Sequence, residues 1–100
     1  MIYLDNAATS WPKPEKVYRA TDQALRTAAN PGRGGHRLSR DSARLVLQSR
    51  EAVARFFGVT DSRQIIFTAG ATASLNQAIY GLMPGVKRIL SLGFEHNALW

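Results

Sequence analysis

The stretch IIFTAGATAS, residues 65–74, decides the fold of this chain. Its first four residues are apolar and mostly β-branched or aromatic, which predicts a short buried strand over 65–68. The small residues after it lead into a helix whose apolar residues recur at three- and four-residue spacing: Leu75, Ala78, Ile79 and Leu82.

A second apolar run, RILSL at residues 88–92, predicts another buried strand after Pro84 and Gly85 end the helix. Two strands joined by a helix of this length run parallel in one sheet, with a right-handed crossover. The sequence therefore predicts an α/β fold that contains a β-α-β unit.

Upstream of this unit the pattern is helical. Apolar residues at helical spacing predict one helix over 14–29, begun by Pro14, and a longer helix over 38–57 that Gly58 terminates. We expect two parts: residues 1–62, an extended segment and two helices, and residues 63–100, the start of an incomplete α/β domain. The expected faces are Val17, Thr21, Leu25 and Ala28 in the first helix, and Leu38, Ser42, Leu45, Ser49, Val53 and Phe56 in the second.

Composition limits the function classes. Thirteen Lys and Arg against seven Asp and Glu give a net charge of +6, which attracts phosphates, nucleic acid or an acidic partner. The arginines are spread among acids with no aromatic platform, so we expect no nucleic-acid binding, although a basic binding module stays an alternative. Zero cysteines exclude disulfides and a thiol nucleophile within these residues, and we expect no metal site.

The chain shows no targeting or membrane signal. No apolar run approaches the roughly 20 residues of a transmembrane helix, and the first residues lack the basic and apolar regions of a secretory signal. We therefore expect a cytoplasmic location and no membrane partner.

The turn TAGAT, residues 68–72, is the strongest candidate site. Helix N-termini present unsatisfied N–H groups and a positive dipole, so small residues and the Thr72 hydroxyl there indicate a phosphate cradle. Its place at the carboxyl end of a strand is where open α/β sheets bind ligands. The alternative is tight strand–helix packing with Thr72 or Ser74 as an N-cap.

Two further segments carry candidate polar groups. His96, after the second predicted strand, would lie at the same sheet edge as the cradle, and either contacts a ligand or caps a turn at the surface. Asn6 and the loop with Arg33 and His36 lie in Gly- or Ala-rich segments that let a backbone approach a ligand or another subunit. Ordinary turns are the alternative for these.

Four motifs together resemble the cysteine desulfurase family of the class V aminotransferase superfamily: YLDNAAT (3–9), NPGRGGH (30–36), FTAGATASLN (67–76) and EHN (95–97). The resemblance implies the N-terminal part of a fold type I enzyme with pyridoxal 5'-phosphate as cofactor. The complete enzyme would be a homodimer that takes sulfur from L-cysteine as a persulfide, leaves alanine and passes the sulfur to an acceptor protein, as in iron-sulfur cluster assembly. Another class V activity, such as a selenocysteine lyase or an aminotransferase, is the alternative.

The resemblance also implies residue roles. The backbone amides of Ala71 and Thr72, with the Thr72 hydroxyl, would hold the cofactor phosphate, and His96 would stack on the pyridine ring and assist proton transfer. The residues implied at the substrate pocket, or on a loop near it or near the dimer partner, are Asn6, Ala7, Ala8, Arg33 and His36.

Some family features are absent from these residues. Ala73 stands where many relatives carry Glu, which leaves the cradle intact. The family's Schiff-base lysine, pyridine-paired aspartate, nucleophilic cysteine and carboxylate-binding arginine lie further along, and Lys13, Lys16 and Lys87 do not match the lysine motif. We therefore expect these 100 residues alone to be inactive, and to aggregate, because in such sheets other strands separate the two predicted strands.

Overall fold

The computed structural model describes residues 1–99 and divides the chain into two compact units, Met1–Ser62 and Arg63–Trp100. Trp100, the last residue of the second predicted domain, lies outside the described residues. None of the helices described is both long and apolar enough to cross a membrane.

The first unit begins with a hydrogen-bonded loop. The Tyr3 hydroxyl donates to the Thr9 carbonyl at 2.8 Å, and the Tyr3 ring meets the edge of Trp11 with the ring centroids 5.5 Å apart. The peptide bond between Trp11 and Pro12 is cis. This loop leads directly into the first helix.

Two helices complete the first unit, as predicted. Helix α1 spans Glu15–Thr27 and begins after Pro14, whose missing N–H costs nothing at a helix start. Helix α2 spans Arg37–Phe56. The predicted end of α2 is confirmed, because Gly58 has φ +68°, a left-handed conformation that glycine adopts without strain, and donates its N–H to the Arg55 carbonyl.

The apolar faces of α1 and α2 that the spacing predicts are largely exposed. An open groove of about 730 Å³ lies between the two helices, lined by Val17, Leu25 and Leu45 among others. Ala54 is the one apolar residue that is buried within residues 1–99, whereas Leu25 and Phe56 are each 82% exposed. The periodicity located these faces, but no further layer of the described chain covers them.

The second unit is built around helix α3, which spans Ala71–Leu82. A one-turn 3₁₀ segment, Met83–Gly85, ends it at the predicted Pro84-Gly85 break. The chain then passes the apolar face of α3, where Leu75, Ile79 and Ile89 line a small apolar groove. A second 3₁₀ turn, Asn97–Leu99, packs against α3.

The predicted β-α-β unit is not confirmed. Residues 65–68 and 88–92 form no strand in the part of the chain that the structure describes. A strand exists only within a ladder of hydrogen bonds to a neighbour, and the resemblance implies that other strands separate these two segments. Ile66 and Leu90 accordingly stay 65% and 94% exposed.

We expect residues 1–100, prepared alone, to bind a hydrophobic dye and to unfold without a sharp transition. The reason is that one buried alanine cannot offset the conformational entropy lost on folding. Dye fluorescence and thermal circular dichroism test this. A cooperative melt without dye binding would show that the apolar faces are covered, for instance by self-association.

Candidate functional site

The start of α3 carries no cap from a side chain. Gly70 occupies the N-cap position, and the first backbone bond of the helix runs from the Ser74 N–H to the Gly70 carbonyl. Within residues 1–99 the N–H groups of Ala71, Thr72 and Ala73 therefore have no acceptor, and all three residues are exposed. Such amides, with the positive end of the helix dipole, suit an oxyanion.

The hydroxyl of Thr68 shapes the turn before α3. It donates to the Gly70 carbonyl at 3.0 Å and lies 2.5 Å from the Ser74 hydroxyl. The alternative of Ser74 or Thr72 as the N-cap is therefore wrong. Thr72 has no hydrogen-bond partner for its hydroxyl within residues 1–99, and a Cβ built on Gly70 meets nothing within 4 Å, so the approach to these amides is open.

His96 immediately precedes the 3₁₀ turn that packs against α3. Its Nδ1 accepts the Ala98 N–H at 3.1 Å, and its carbonyl accepts the Leu99 N–H at 3.0 Å. With Nδ1 as acceptor, the neutral imidazole carries its proton on Nε2. His96 is exposed, and its Nε2 has no hydrogen-bond partner among residues 1–99.

In the first unit, the loop before α2 is tied to the helix by two buried serine hydroxyls. Ser39 donates to the Asn30 carbonyl at 2.6 Å and accepts the Gly34 N–H at 3.1 Å. Ser42 accepts the Ala29 N–H at 2.8 Å and donates to the Leu38 carbonyl. The sequence pattern does not single out Ser39 and indicates Ser42 only as part of a helix face, although serines in the first turns after a glycine-rich loop are the available signal.

His36 and Arg33 occupy different environments in this loop. His36 is the N-cap of α2, where its Nδ1 accepts the Ser39 N–H at 3.3 Å. Arg33 is exposed and has no hydrogen-bond or ion-pair partner among the residues that the structure describes. By contrast, Arg40 donates to the Gly35 carbonyl, and Arg37 and Arg44 each pair with Asp41.

The N-terminal candidates are exposed and lie in the loop that precedes α1. Asn6 bridges this loop, since its Oδ1 accepts the Trp11 N–H at 3.2 Å and its Nδ2 donates to the Tyr3 carbonyl at 3.4 Å. Ala7 and Ala8 follow in a turn, in which the Ala8 N–H donates to the Asp5 carbonyl at 3.1 Å.

The candidates thus fall into two groups. Ala71, Thr72 and His96 belong to the second unit, where the turn after His96 contacts the helix that begins at Ala71. No group of three or more His, Asp and Glu able to hold a metal ion occurs among residues 1–99. The candidates of the first unit are Asn6, Ala7, Ala8, Arg33 and His36.

Comparison with known proteins gives one consistent family. The family model Aminotransferase class-V matches residues 2–100. A cysteine desulfurase of Frankia is 37% identical over 99% of this chain, a probable cysteine desulfurase of Pseudomonas putida 41% over 96%, and the cysteine desulfurase IscS of Dictyoglomus turgidum 33% over 98%. The chain spans about a quarter of the length of these relatives, 24%, 25% and 25% in turn. No solved structure matches the chain significantly.

Replacement of Gly34 by alanine should destabilise the loop before α2, which the Ser39 and Ser42 hydroxyls hold in place. A Cβ on Gly34 would lie 2.7 Å from the Ser39 Cβ and 2.8 Å from its hydroxyl, whereas a Cβ on Gly35 meets nothing within 4 Å. Overpacking of this kind costs about 1–3 kcal/mol, so we expect exchange of the loop amides to become about 5- to 150-fold faster in Gly34→Ala.

Hydrogen exchange over residues 29–39 in the complete protein that carries this segment measures the effect. Gly35→Ala is the matched control and should exchange like the wild type. Equal protection in both variants would contradict the tight contact at Gly34.

Proposed function

The chain belongs to the aminotransferase class-V family, and from that membership we propose that it is the N-terminal part of a pyridoxal-phosphate-dependent cysteine desulfurase. The complete enzyme takes sulfur from L-cysteine as a persulfide and releases alanine. Family membership implies a fold type I enzyme, and the relatives named cysteine desulfurase support the choice of reaction. The single structural observation that carries the proposal is the uncapped start of α3.

The residues at this helix start fit a phosphate. Ala71 and Thr72 offer backbone N–H groups that have no acceptor among residues 1–99, and the exposed Thr72 hydroxyl adds a third donor. A Cβ built on Gly70 would meet nothing within 4 Å, which leaves room for a phosphate beside these amides. These donors would hold the cofactor phosphate through charge-assisted hydrogen bonds.

Pyridoxal phosphate, when bound, supplies an electron sink for the amino-acid substrate. His96 offers an imidazole whose plane is fixed by the bond from the Ala98 N–H to Nδ1. Its ring would stack on the cofactor's pyridine, and Nε2–H would assist proton transfer. His96 is therefore our candidate catalytic residue.

The first unit contributes the substrate pocket in this proposal. Arg33, exposed and without a partner among residues 1–99, belongs to a loop that we assign to the substrate pocket or to the dimer partner beside it. Asn6 holds the N-terminal loop in shape through its bonds to Tyr3 and Trp11, and Ala7 and Ala8 let a substrate approach the backbone there. His36 shapes the Arg33 loop as the cap of α2.

We further propose that the complete enzyme is a cytoplasmic homodimer that hands its sulfur to an acceptor protein. Residues 1–100 contain no cysteine and so cannot form a persulfide. We therefore propose that they are inactive by themselves.

The direct test is turnover of L-cysteine. The complete protein, purified with pyridoxal phosphate, should release alanine and sulfide in equal amounts in the presence of a thiol, whereas residues 1–100 should release neither. Turnover of L-selenocysteine without turnover of L-cysteine would instead support a lyase of the same family. Sulfide release by residues 1–100 alone would refute the inactivity proposed for them.

Thr72→Ala should weaken cofactor binding in the complete protein. Loss of one hydrogen bond to a charged group costs about 1.5–3 kcal/mol, so we expect affinity to fall about 10- to 150-fold. Thr27→Ala is the matched control, because the Thr27 hydroxyl bonds only to the Gln23 carbonyl of α1. Titration of the apoprotein, followed by the absorbance of the bound cofactor, gives both affinities. Equal cofactor affinities of Thr72→Ala and Thr27→Ala would show that the Thr72 hydroxyl does not bind the phosphate.

A further inference from the structure

The Thr68 hydroxyl uses its full hydrogen-bonding capacity in the turn before α3. It donates to the Gly70 carbonyl at 3.0 Å, so in its 2.5 Å contact with Ser74 the serine hydroxyl is the donor. The Gly70 N–H also donates to Thr68, at 3.4 Å. A hydroxyl has one donor and two acceptor positions, and here all three serve the segment that leads into α3.

Gly70 has a backbone conformation that other residues avoid. Its φ is +157° and its ψ is 177°, a region that is open essentially to glycine alone. Thr68 contacts both the N–H and the carbonyl of this residue, and the same carbonyl accepts the Ser74 N–H, which is the first backbone bond of α3. The Thr68 hydroxyl therefore joins the turn to the start of the helix and fixes how the helix begins.

The groups that this turn orients are the backbone N–H groups of Ala71 and Thr72. N–H groups in the first turn point along the helix axis toward its start, so the orientation of that start decides where they meet an anion. Thr68 is half-buried, and its hydroxyl has no proton left to donate to a ligand. Donors that are oriented before a ligand arrives bind it with less loss of conformational entropy.

We propose that Thr68 is a positioning residue for the cofactor phosphate, which it does not touch; this rests on the proposed function. Its hydroxyl holds Gly70, and through Gly70 it orients the N–H groups of Ala71 and Thr72. Ser74 supports the arrangement from the helix by donating to Thr68. Loss of the Thr68 hydroxyl should therefore weaken binding of the phosphate and leave binding of the cofactor ring unchanged.

The test uses Thr68→Val in the complete apoprotein, which removes the hydroxyl and keeps the branched shape of the side chain. In titrations followed by absorbance, we expect affinity for pyridoxal phosphate to fall about tenfold, and affinity for pyridoxal, which lacks the phosphate, to change less than about twofold. Thr68→Ser retains the hydroxyl and should bind like the wild type. Thr21→Val is the matched control, because within residues 1–99 the Thr21 hydroxyl bonds only to the Val17 carbonyl of α1.

Hydrogen exchange gives a second readout that does not depend on turnover. With saturating pyridoxal phosphate, the amides of Ala71 and Thr72 should be protected in the wild type and should exchange about tenfold faster in Thr68→Val. Ser74→Ala removes the donor to Thr68. It should lower affinity for pyridoxal phosphate in the wild type and have little further effect in the Thr68→Val background.

The two proposals fail on different measurements. Wild-type protein with bound cofactor that releases no sulfide from L-cysteine overturns the proposed reaction, and the titrations still measure the role of Thr68. Unchanged affinity for pyridoxal phosphate in Thr68→Val, an equal loss of affinity for pyridoxal, or weak binding in Thr68→Ser overturns that role. If Thr68→Val does not fold, wild-type affinity in Ser74→Ala overturns it.

Discussion

The N–H groups in the first turn of a helix have no acceptor inside the helix, and most of the local structure of this chain follows from how they are satisfied. At α2 the His36 ring accepts the Ser39 N–H, and at the turn Asn97–Leu99 the His96 ring accepts the Ala98 N–H. At α3 the cap is Gly70, which has no side chain to offer. The start of α2 therefore has a side-chain cap at the Ser39 N–H, whereas the start of α3 has no side-chain cap.

Hydrogen bonds do more than apolar burial to define the first unit. Two serines and one alanine are the buried side chains in the described part of the chain. The serines fix the loop before α2, and the Tyr3 hydroxyl and Asn6 amide fix the loop before α1. Local polar contacts of this kind shape a backbone without a large core, so the shape of these loops depends less on what covers the apolar faces.

Helix ends that depend on the residue at that position were predictable from the sequence. Strands and buried side chains that depend on residues elsewhere in the chain were not. The breaks at Pro84-Gly85 and Gly58 depend on the residue's own backbone preference, and both ends were located correctly. The strands over 65–68 and 88–92 need ladder partners far along a chain, and periodicity carries no information about those. Among the candidate residues, the turn before α3 was predicted as an anion site from its small residues, whereas Ser39 was not singled out, because its burial depends on how the loop folds back.

Capping and ligand contact are alternatives for a histidine only if both use the same atoms. In His96 the backbone bond occupies Nδ1, and Nε2 has no hydrogen-bond partner among residues 1–99. The cap removes rotational freedom from the imidazole before any ligand arrives, so stacking on an aromatic ring costs less entropy than it would for an unrestrained side chain. His36 uses the same Nδ1 contact and is also exposed, and a Cβ placed on the nearby Gly34 would lie 2.8 Å from its Nε2, so the loop backbone approaches that atom closely. Of the two histidines with this cap, His96 is the one that lies in the same unit as the uncapped start of α3.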